Sequence, residues 1–267
     1  MKRQEINMIG GGFQHSLSTS GYEPLFVKWI KGNHTAPISI YIDYSIKDIP
    51  SPHTKNYGWL AESKTINVDL YEWAANNIEF LKKHFILVFT HDVGLLQLSD
   101  VFVLQSVMGK SFIAESDGGI FPKTKLVSMI ASNKIMCSEH IYRQQMVSKF
   151  KNKCDHFGRG YRNLPNKIDG LKDYCFSIAM ENATYPNMIS EKITDCFMMG
   201  TIPIYYGIKN IGEFFNIDGI IILDDLFDIE QLSFDLYHSK KQAVEENYQI
   251  AKNMLLSEDH IYLNYIK

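Results

Sequence analysis

The sequence is poor in the features that mark specialised protein classes. It has four cysteines, Cys137, Cys154, Cys175 and Cys196, and no two stand close enough for a CxxC redox or zinc motif. With no secretory signal in view, four reduced, mostly buried thiols in a cytoplasmic chain are expected. Residues 1–14 lack the apolar core, roughly 7–15 residues long, of a signal peptide. The longest apolar runs, 85–89 and 219–223, fall far short of the ~20 residues of a membrane-spanning helix. No transmembrane segment is expected, which leaves room for peripheral membrane contact only. Positive charge is not in excess: 27 Lys and Arg stand against 30 Asp and Glu, for a net charge of -3. That balance disfavours a nucleic-acid partner while permitting a local basic groove for a phosphate ligand. There is no Asp-x-Asp pair, and the nine histidines show no HExxH spacing, so no required metal is expected. No GxGxxG follows a first strand, which weighs against a nucleotide-dependent oxidoreductase. The glycine run 10–12 has no strand read before it and reads as a loop.

What remains is an ordinary globular composition, with 45% hydrophobic and 21% charged residues and no repeat or low-complexity tract. At about 150 residues per domain, 267 residues make two small domains or one large one, with ample core. Segments 38–43, 86–90, 126–131, 175–180, 202–206 and 220–223 are nearly continuous in apolar residues, as in strands buried on both faces. Between them, 70–84, 139–150, 191–199 and 236–256 read as helices. The alternation predicts parallel βαβ units and an α/β fold. A polar, Gly-containing stretch at 151–172 places the domain boundary near residue 150. Open parallel sheets bind ligands beyond the carboxyl ends of their strands. A two-domain chain of this kind is expected to bind in the cleft between domains.

The densest chemical signal is 174–207, YCFSIAMENATYPNMISEKITDCFMMGTIPIYYG. It reads as strand, loop, helix, strand. Glu181 and Asn182 stand at the carboxyl end of the first strand, Ser190 is placed to cap the helix, and Gly200 to stop it. Lys192 falls in the first helical turn, where the macrodipole prefers acids. A lysine beside free N–H groups there makes a phosphate site, with Glu191 able to accept from sugar hydroxyls. The bland alternative is a solvated Glu–Lys pair at an ordinary helix start. Asn182-Ala183-Thr184 matches a glycosylation sequon that a cytoplasmic chain would not use.

Residues 174–216 resemble the donor-binding signature of the α-1,3-fucosyltransferase family, glycosyltransferase family 10. The resemblance is carried by Phe176, Ser177, Ile178, Glu181 and Asn182, then Ser190, Glu191 and Lys192, then Gly200, Thr201, Ile202, Pro203, Ile204, Tyr205, Tyr206 and Gly207. Weaker similarity extends back to about residue 57. The resemblance implies a GT-B fold, two Rossmann-like domains facing across a cleft, with 1–150 on the acceptor side and 151–267 binding the sugar nucleotide. It implies transfer of fucose from GDP-fucose to a glycan acceptor, polysaccharide or lipopolysaccharide, with inversion and no cofactor beyond the donor. Lys192 would contact the donor diphosphate and Glu191 the sugar or ribose hydroxyls, with Glu181, Asn182 and the Ser190 cap shaping the pocket. The chain departs from the pattern at Met188, where the family often has an aromatic residue, and at Ser190, where it has Thr. Two alternatives follow: a transferase of the same fold using another nucleotide sugar, or a non-catalytic nucleotide-sugar or glycan-binding protein.

Segment 125–133 resembles the family strand that precedes a phosphate-binding arginine. The candidates here are Arg143 and, behind it, His140, which share a helix face at i and i+3. Pairing of Arg143 with an exposed carboxylate is the competing reading. Arg159 and Arg162 read as solvated linker residues ahead of phosphate ligands. For a general base the acceptor hydroxyl needs a carboxylate within reach. Glu62 ranks first, because it follows the apolar run 59–61 in a segment that looks like the family's short strand ending in a catalytic Glu. Asp92 ranks second, within Thr90-His91-Asp92, and Glu115 is a further rival. Any one of them reads alternatively as a surface or capping acid.

Overall fold

The computed structural model describes residues 2–11, 13, 16–32, 34–105 and 107–267, so Gly12 and Gln14 lie outside the described residues. The chain forms two compact units. Unit 1 comprises Met1–Gly109, Tyr185–Met188 and Leu255–Lys267; unit 2 comprises Lys110–Thr184 and Ile189–Met254.

Unit 1 is built on a six-stranded sheet of β1 (Gln4–Gly10), β2 (Val27–Ile30), β3 (Ile38–Ile42), β4 (Lys55–Trp59), β5 (Val88–Thr90) and β6 (Phe102–Leu104), in the order β2-β1-β3-β4-β5-β6. Every pairing is parallel. Strand β3 shows why the sheet is central: all of ISIYI is buried. Its alternate residues Ile38, Ile40 and Ile42 join Ile6, Met8, Trp59 and Phe89 in one core. Tyr41 turns to the other face, with Leu60, Leu70, Tyr71 and Val88, as the two-residue side-chain period requires. Helices α1 (Val68–Asn76), α2 (Ile78–His84) and α3 (Val93–Leu98) fill the connections. The single helix expected at 70–84 is broken at Asn77, whose Nδ2 donates to the Trp73 carbonyl at 2.8 Å. This is the local competition for backbone groups that keeps Asn out of helix interiors.

Strands β1 and β2 are among those of unit 1 that escape an apolar-run reading. β1 carries Gln4, Glu5 and Asn7, yet Asn7 is fully buried, donating to the Ala36 carbonyl at 2.8 Å and accepting from its N–H at 2.9 Å. The run beginning at Gly10 therefore does follow a strand, contrary to the reading from sequence. In β2, Lys28 interrupts the apolar run.

Unit 2 has a five-stranded sheet of β7 (Lys125–Ile130), β8 (Asp155–Phe157), β9 (Tyr174–Met180), β10 (Ile202–Tyr206) and β11 (Ile221–Ile222), in the order β11-β10-β9-β7-β8, again parallel throughout. All seven residues of β9 are buried. Helices α4 (Ser138–Lys149), α5 (Glu191–Met198), α6 (Phe234–Ser239) and α7 (Lys241–Asn253) complete it. The expected boundary near 150 is displaced: β7 pairs with β9, Val127 opposite Phe176, so β7 and the following α4 belong to unit 2. The expected helix 236–256 divides at Lys240 and ends at Asn253.

After α7 the chain returns to unit 1 as α8 (Ser257–Ile261). Asp259 accepts from the N–H groups of Leu25, Phe26 and Val27 at 2.7, 2.8 and 3.2 Å. Glu258 accepts from Thr19 and from the Trp29 indole. Among the described residues, no helix is long and apolar enough to cross a membrane. All four cysteines are free, with Cys175 and Cys196 buried and Cys137 and Cys154 half-buried.

Each sheet has one point where successive connections leave in opposite directions. In unit 2 the chain runs outward from β7 to β8 and, on the other side, from β9 to β10. In unit 1 it runs from β1 to β2 and from β3 to β4. Crevices at such points, beyond the carboxyl ends of the strands, are where open α/β sheets bind ligands.

Candidate functional site

Beyond the switch point of unit 2 lies a cavity of about 260 Å³. That is just under the ~300–1,000 Å³ of a drug-sized ligand site. Its lining includes Ile130 at the end of β7 with Ala131 and Ser132 after it, Ser177, Ile178 and Ala179 of β9, and six charged side chains: Arg143, Arg159, Lys167, Lys192, Glu191 and Asp195. Four cations against two acids, in a site walled by sheet and helix, favour an anionic ligand.

The start of α5 supplies the central group. Ser190 is its N-cap, with the side chain accepting from the Lys192 N–H. The far end closes as a Schellman turn: Gly200 N–H donates to the Phe197 carbonyl at 3.0 Å and Thr201 N–H to Cys196 at 2.9 Å. Gly200 takes φ +61, and a Cβ there would fall 2.8 Å from Ile120 Cα, so only glycine fits without displacing backbone. Glu181, fully buried just beyond β9, accepts from both the N–H and the hydroxyl of Ser190. Lys192 Nζ donates to Ser190 Oγ at 2.9 Å and lies 3.4 Å from Glu181 Oε2 and 3.9 Å from Glu191 Oε1. Burial works against its charge, but Glu191 and Glu181 outweigh that and hold Lys192 above the ordinary lysine value. Lys192 is thus kept charged at a helix N-terminus by acids tethered behind it.

Two members of this network were not singled out from sequence. Lys167 Nζ donates to Asp195 Oδ2 at 2.6 Å and Glu191 Oε1 at 3.3 Å. Asp195 Oδ1 in turn accepts from Ser111 Oγ at 2.6 Å and the Phe112 N–H at 2.7 Å. Burial pushes the Asp195 carboxyl up despite Lys167. For Glu191 burial also pushes upward, but Lys192 and Lys167 prevail and bring it down to about 2. The i, i+4 spacing of Glu191 and Asp195 on one helix was a usable signal for the acid pair; nothing in the sequence marked Lys167.

Arg143 reaches the cavity from α4 and is 5% exposed. Its Nη2 donates to Ser132 Oγ at 3.4 Å, and its Nε is buried with no hydrogen-bond partner among the described residues. Burial lowers its basicity. Among the described residues no exposed carboxylate pairs with it, and an arginine with an unfilled donor beside a cavity suits an anionic oxygen. His140 is occupied, accepting from the Met136 N–H at 3.1 Å. Arg159 also lines the cavity, whereas Arg162 stacks over the Phe157 ring at 5.2 Å. Asn182 is not in the lining, and its side-chain oxygen is buried with no partner among the described residues.

The candidate acids of unit 1 stand beyond the carboxyl ends of β4 and β5. Glu62 is half-buried; its Oε1 accepts from the Ser63 N–H at 2.8 Å, and Oε2 has no protein partner among the described residues. Asp92 is committed on both oxygens: Oδ1 caps α3 by accepting from Leu95 N–H at 2.8 Å, and Oδ2 pairs with Lys64 Nζ at 3.0 Å. The neighbouring His91 is fully buried, and burial pushes its imidazole down to about 4, so it is neutral near pH 7. Glu115 lies in unit 2, paired with Lys110 at 3.0 Å. Of Glu62 and Asp92, Glu62 is therefore the one with an uncommitted oxygen among the described residues.

The C-terminal model of glycosyltransferase family 10 (fucosyltransferase) matches the chain over residues 120–249, from just before β7 into α7. The chain resembles glycosyltransferase family 10. Among curated proteins it is 27% identical over 191 residues to alpha-(1,3)-fucosyltransferase B of Drosophila melanogaster, covering 62% of this chain and 41% of that one. It is 32% identical over 109 residues to alpha-(1,3)-fucosyltransferase FucT of Helicobacter pylori, covering 39% and 22%. The matched portion is thus under half the length of either relative. Crystal structures of an alpha1,3-fucosyltransferase, alone and with GDP, superpose with TM-scores of 0.52 and 0.50. Their identities are 15% and 14%, over 95% and 94% of this chain and 81% and 82% of theirs. These likenesses show the fold as GT-B-like, built from two Rossmann-like α/β units.

Proposed function

We propose that this family 10-like chain is an inverting fucosyltransferase that takes fucose from GDP-fucose and delivers it to a hydroxyl of a glycan acceptor, a polysaccharide or lipopolysaccharide. The observation that carries the reading is the cation-rich cavity around Lys192 and Arg143, at the switch point of the unit that matches the family. The names of the relatives support fucose as the sugar, and the neighbour solved with GDP supports guanosine diphosphate as its carrier.

The chemistry assigned to the residues is a single displacement. The Glu62 carboxylate takes the proton of the acceptor hydroxyl as that oxygen bonds to the anomeric carbon. The bond from that carbon to the diphosphate oxygen breaks, and negative charge grows on the leaving GDP. Lys192 and Arg143 stabilise that charge as donors already in place. Glu191 accepts from donor hydroxyls. Glu181 and Ser190 hold Lys192 in place, and Asn182 shapes the loop behind them. No cofactor beyond the donor is assigned. The proposed location is the cytoplasm, where the four free thiols stay reduced.

The test is a thermal-shift screen of nucleotide sugars, followed by measurement of GDP release with glycan acceptors. Stabilisation by GDP-fucose and acceptor-dependent GDP release are expected. A shift with a different nucleotide sugar reassigns the donor. Binding without release on any acceptor turns the chain into a binding protein, and no shift with any nucleotide sugar overturns the assignment of the cavity.

A further inference from the structure

The switch point of unit 1 holds a residue that neither the motif pattern nor the family resemblance singled out. Asp43 follows β3 directly, where Ile42 stands level with Gly10 of β1 on one side and Trp59 of β4 on the other. Among the described residues it is one of two non-glycine residues with positive φ, at φ 51. That conformation crowds Cβ against the following carbonyl, and single Asp or Asn residues are the side chains that most often accept it. The turn here is tight: a Cβ on Gly10, itself at φ +73, would fall 1.8 Å from Ser45 Oγ. Strain held at the carboxyl ends of a parallel sheet points to function.

The conformation aims the Asp43 carboxylate sideways at the end of the neighbouring strand. Its Oδ1 accepts from the Ala61 N–H at 2.9 Å and from the Glu62 N–H at 3.0 Å. On the other side of the same segment, Tyr71 of α1 donates its hydroxyl to the Glu62 carbonyl at 2.7 Å. The backbone of Glu62 is thus held on both its N–H and its carbonyl, while its own Oε2 stays uncommitted. Glu62 has no regular strand or helix around it, so these two bonds set its position.

We propose that Asp43 is a positioning residue, which fixes the Glu62 backbone so that the Glu62 carboxylate meets the acceptor hydroxyl. This rests on the reading of Glu62 as the base. Burial pushes the Asp43 carboxyl up to about 6, against the pull of the two N–H groups, and the Glu62 charge adds to the rise. The groups facing it are Glu62, Tyr71 on α1 and Tyr44 on its own turn, with Asp92, Lys64 and His91 beyond Tyr71. Protonation of Asp43 near pH 6 removes the charge that strengthens the two N–H bonds.

The experiment compares Asp43→Asn, Asp43→Ala, Glu62→Gln and both double variants for kcat, donor-induced thermal shift and pH profile. Asp43→Asn keeps an acceptor oxygen and tolerates the left-handed turn, so it folds even where Asp43→Ala does not. Asp43→Asn is expected to lower kcat about tenfold, because a neutral amide oxygen holds the two N–H groups more weakly than a carboxylate and loosens the placement of Glu62, with the GDP-fucose shift unchanged. It should also remove the rate limb near pH 6 that is expected of the native chain. In the Glu62→Gln background Asp43→Asn should cost nothing further, since it acts through Glu62. Full kcat in folded Asp43→Asn with the pH 6 limb intact overturns the inference and leaves Glu62 as base. A tenfold loss that persists in the Glu62→Gln background also overturns it. Full activity in Glu62→Gln itself removes the base assignment, and with it the inference.

Discussion

Two parallel sheets of the same kind end in opposite chemistry. Beyond β3, β4 and β5, unit 1 gathers acids: Asp43, Glu62 and Asp92, with a neutral His91. Beyond β7 and β9, unit 2 gathers cations: Arg143, Arg159, Lys167 and Lys192. The difference teaches that a Rossmann-like sheet fixes where a site lies and leaves its charge to a handful of loop residues. It also shows two ways of holding a charge. Unit 2 holds lysines by acids at 2.6 to 3.4 Å. Unit 1 holds carboxylates by backbone N–H groups and a helix cap.

The sharpest break in the comparison is the removal of each unit's proposed reactive group. Glu62→Gln should lower kcat by about 10²–10⁴-fold, the usual reach of general-base catalysis, with donor affinity unchanged. Lys192→Met should lower kcat/KM by about 10²–10³-fold, as loss of a leaving-group donor does, and should also abolish the GDP thermal shift. Kinetics and thermal shift together separate the two: one variant loses chemistry and keeps the donor, the other loses both. Equal thermal shifts in the two variants would contradict the division between an acid side and a donor side. Arg143→Lys follows, with a loss of about tenfold, because an ammonium replaces the planar fork whose Nε is unfilled. Full donor affinity in that variant would remove Arg143 from the site.

Asp92 tests the comparison from within unit 1. It resembles Glu62 in sequence position, each an acid just past a strand. Its oxygens are spent on the α3 cap and on Lys64. Asp92→Ala should therefore cost about 1 kcal/mol of stability, the usual worth of an N-cap, measured by denaturant unfolding. Its kcat should stay within about twofold, the size of change left when no transition-state contact is lost. A rate loss as large as that of Glu62→Gln would reverse the ranking of the two acids.

This asymmetry also explains what could be read from sequence. The residues of unit 2 from Glu181 to Gly207 lie in one stretch, because strand, loop and helix deliver them in order. Cap, helix stop and Lys192 were therefore legible as a pattern, and the structure brings Glu181, Ser190, Glu191 and Lys192 together. Lys167 reaches the same network from the short 3-10 helix Lys167–Gly170, and no local pattern marks it. In unit 1 the acids arrive singly from the ends of three strands. Asp43 is marked by its backbone angle, which residue identity does not encode. β1 was hidden because its buried Asn7 is satisfied by Ala36 and Ser39, so polarity there does not mean exposure. The boundary near 150 failed for the same long-range reason: β7 belongs with β9 through pairing across 49 residues, which a composition shift at 151–172 cannot show.

The smallest expected effects are in stability against pH, and there Glu191 of unit 2 and Asp43 of unit 1 run in opposite directions. Glu191 sits at about 2, below its ordinary 4.5, held down by Lys192 and Lys167 against burial. Its contribution is complete above 4.5 and is lost as pH falls toward 2. Asp43 sits at about 6, above its ordinary 3.8, through burial. Its contribution is complete below 3.8 and is lost as pH rises through 6. His91, brought to about 4 from 6.5 by burial, opposes Asp43: its contribution is complete above 6.5 and is lost as pH falls through 4. Between about 4 and 6 Asp43 and His91 oppose each other within unit 1. Asp43→Asn removes one of them, so unit 1 of that variant should lose stability on acidification from pH 6 to 4 more steeply than the native chain. Glu191→Gln should instead flatten the loss of unit 2 between 4.5 and 2. Amide exchange followed separately in β3 and β9 reads the two units apart. A steeper acid slope appearing in β9 of Asp43→Asn, rather than in β3, would show that the stability of the two sheets is not set by their own charges.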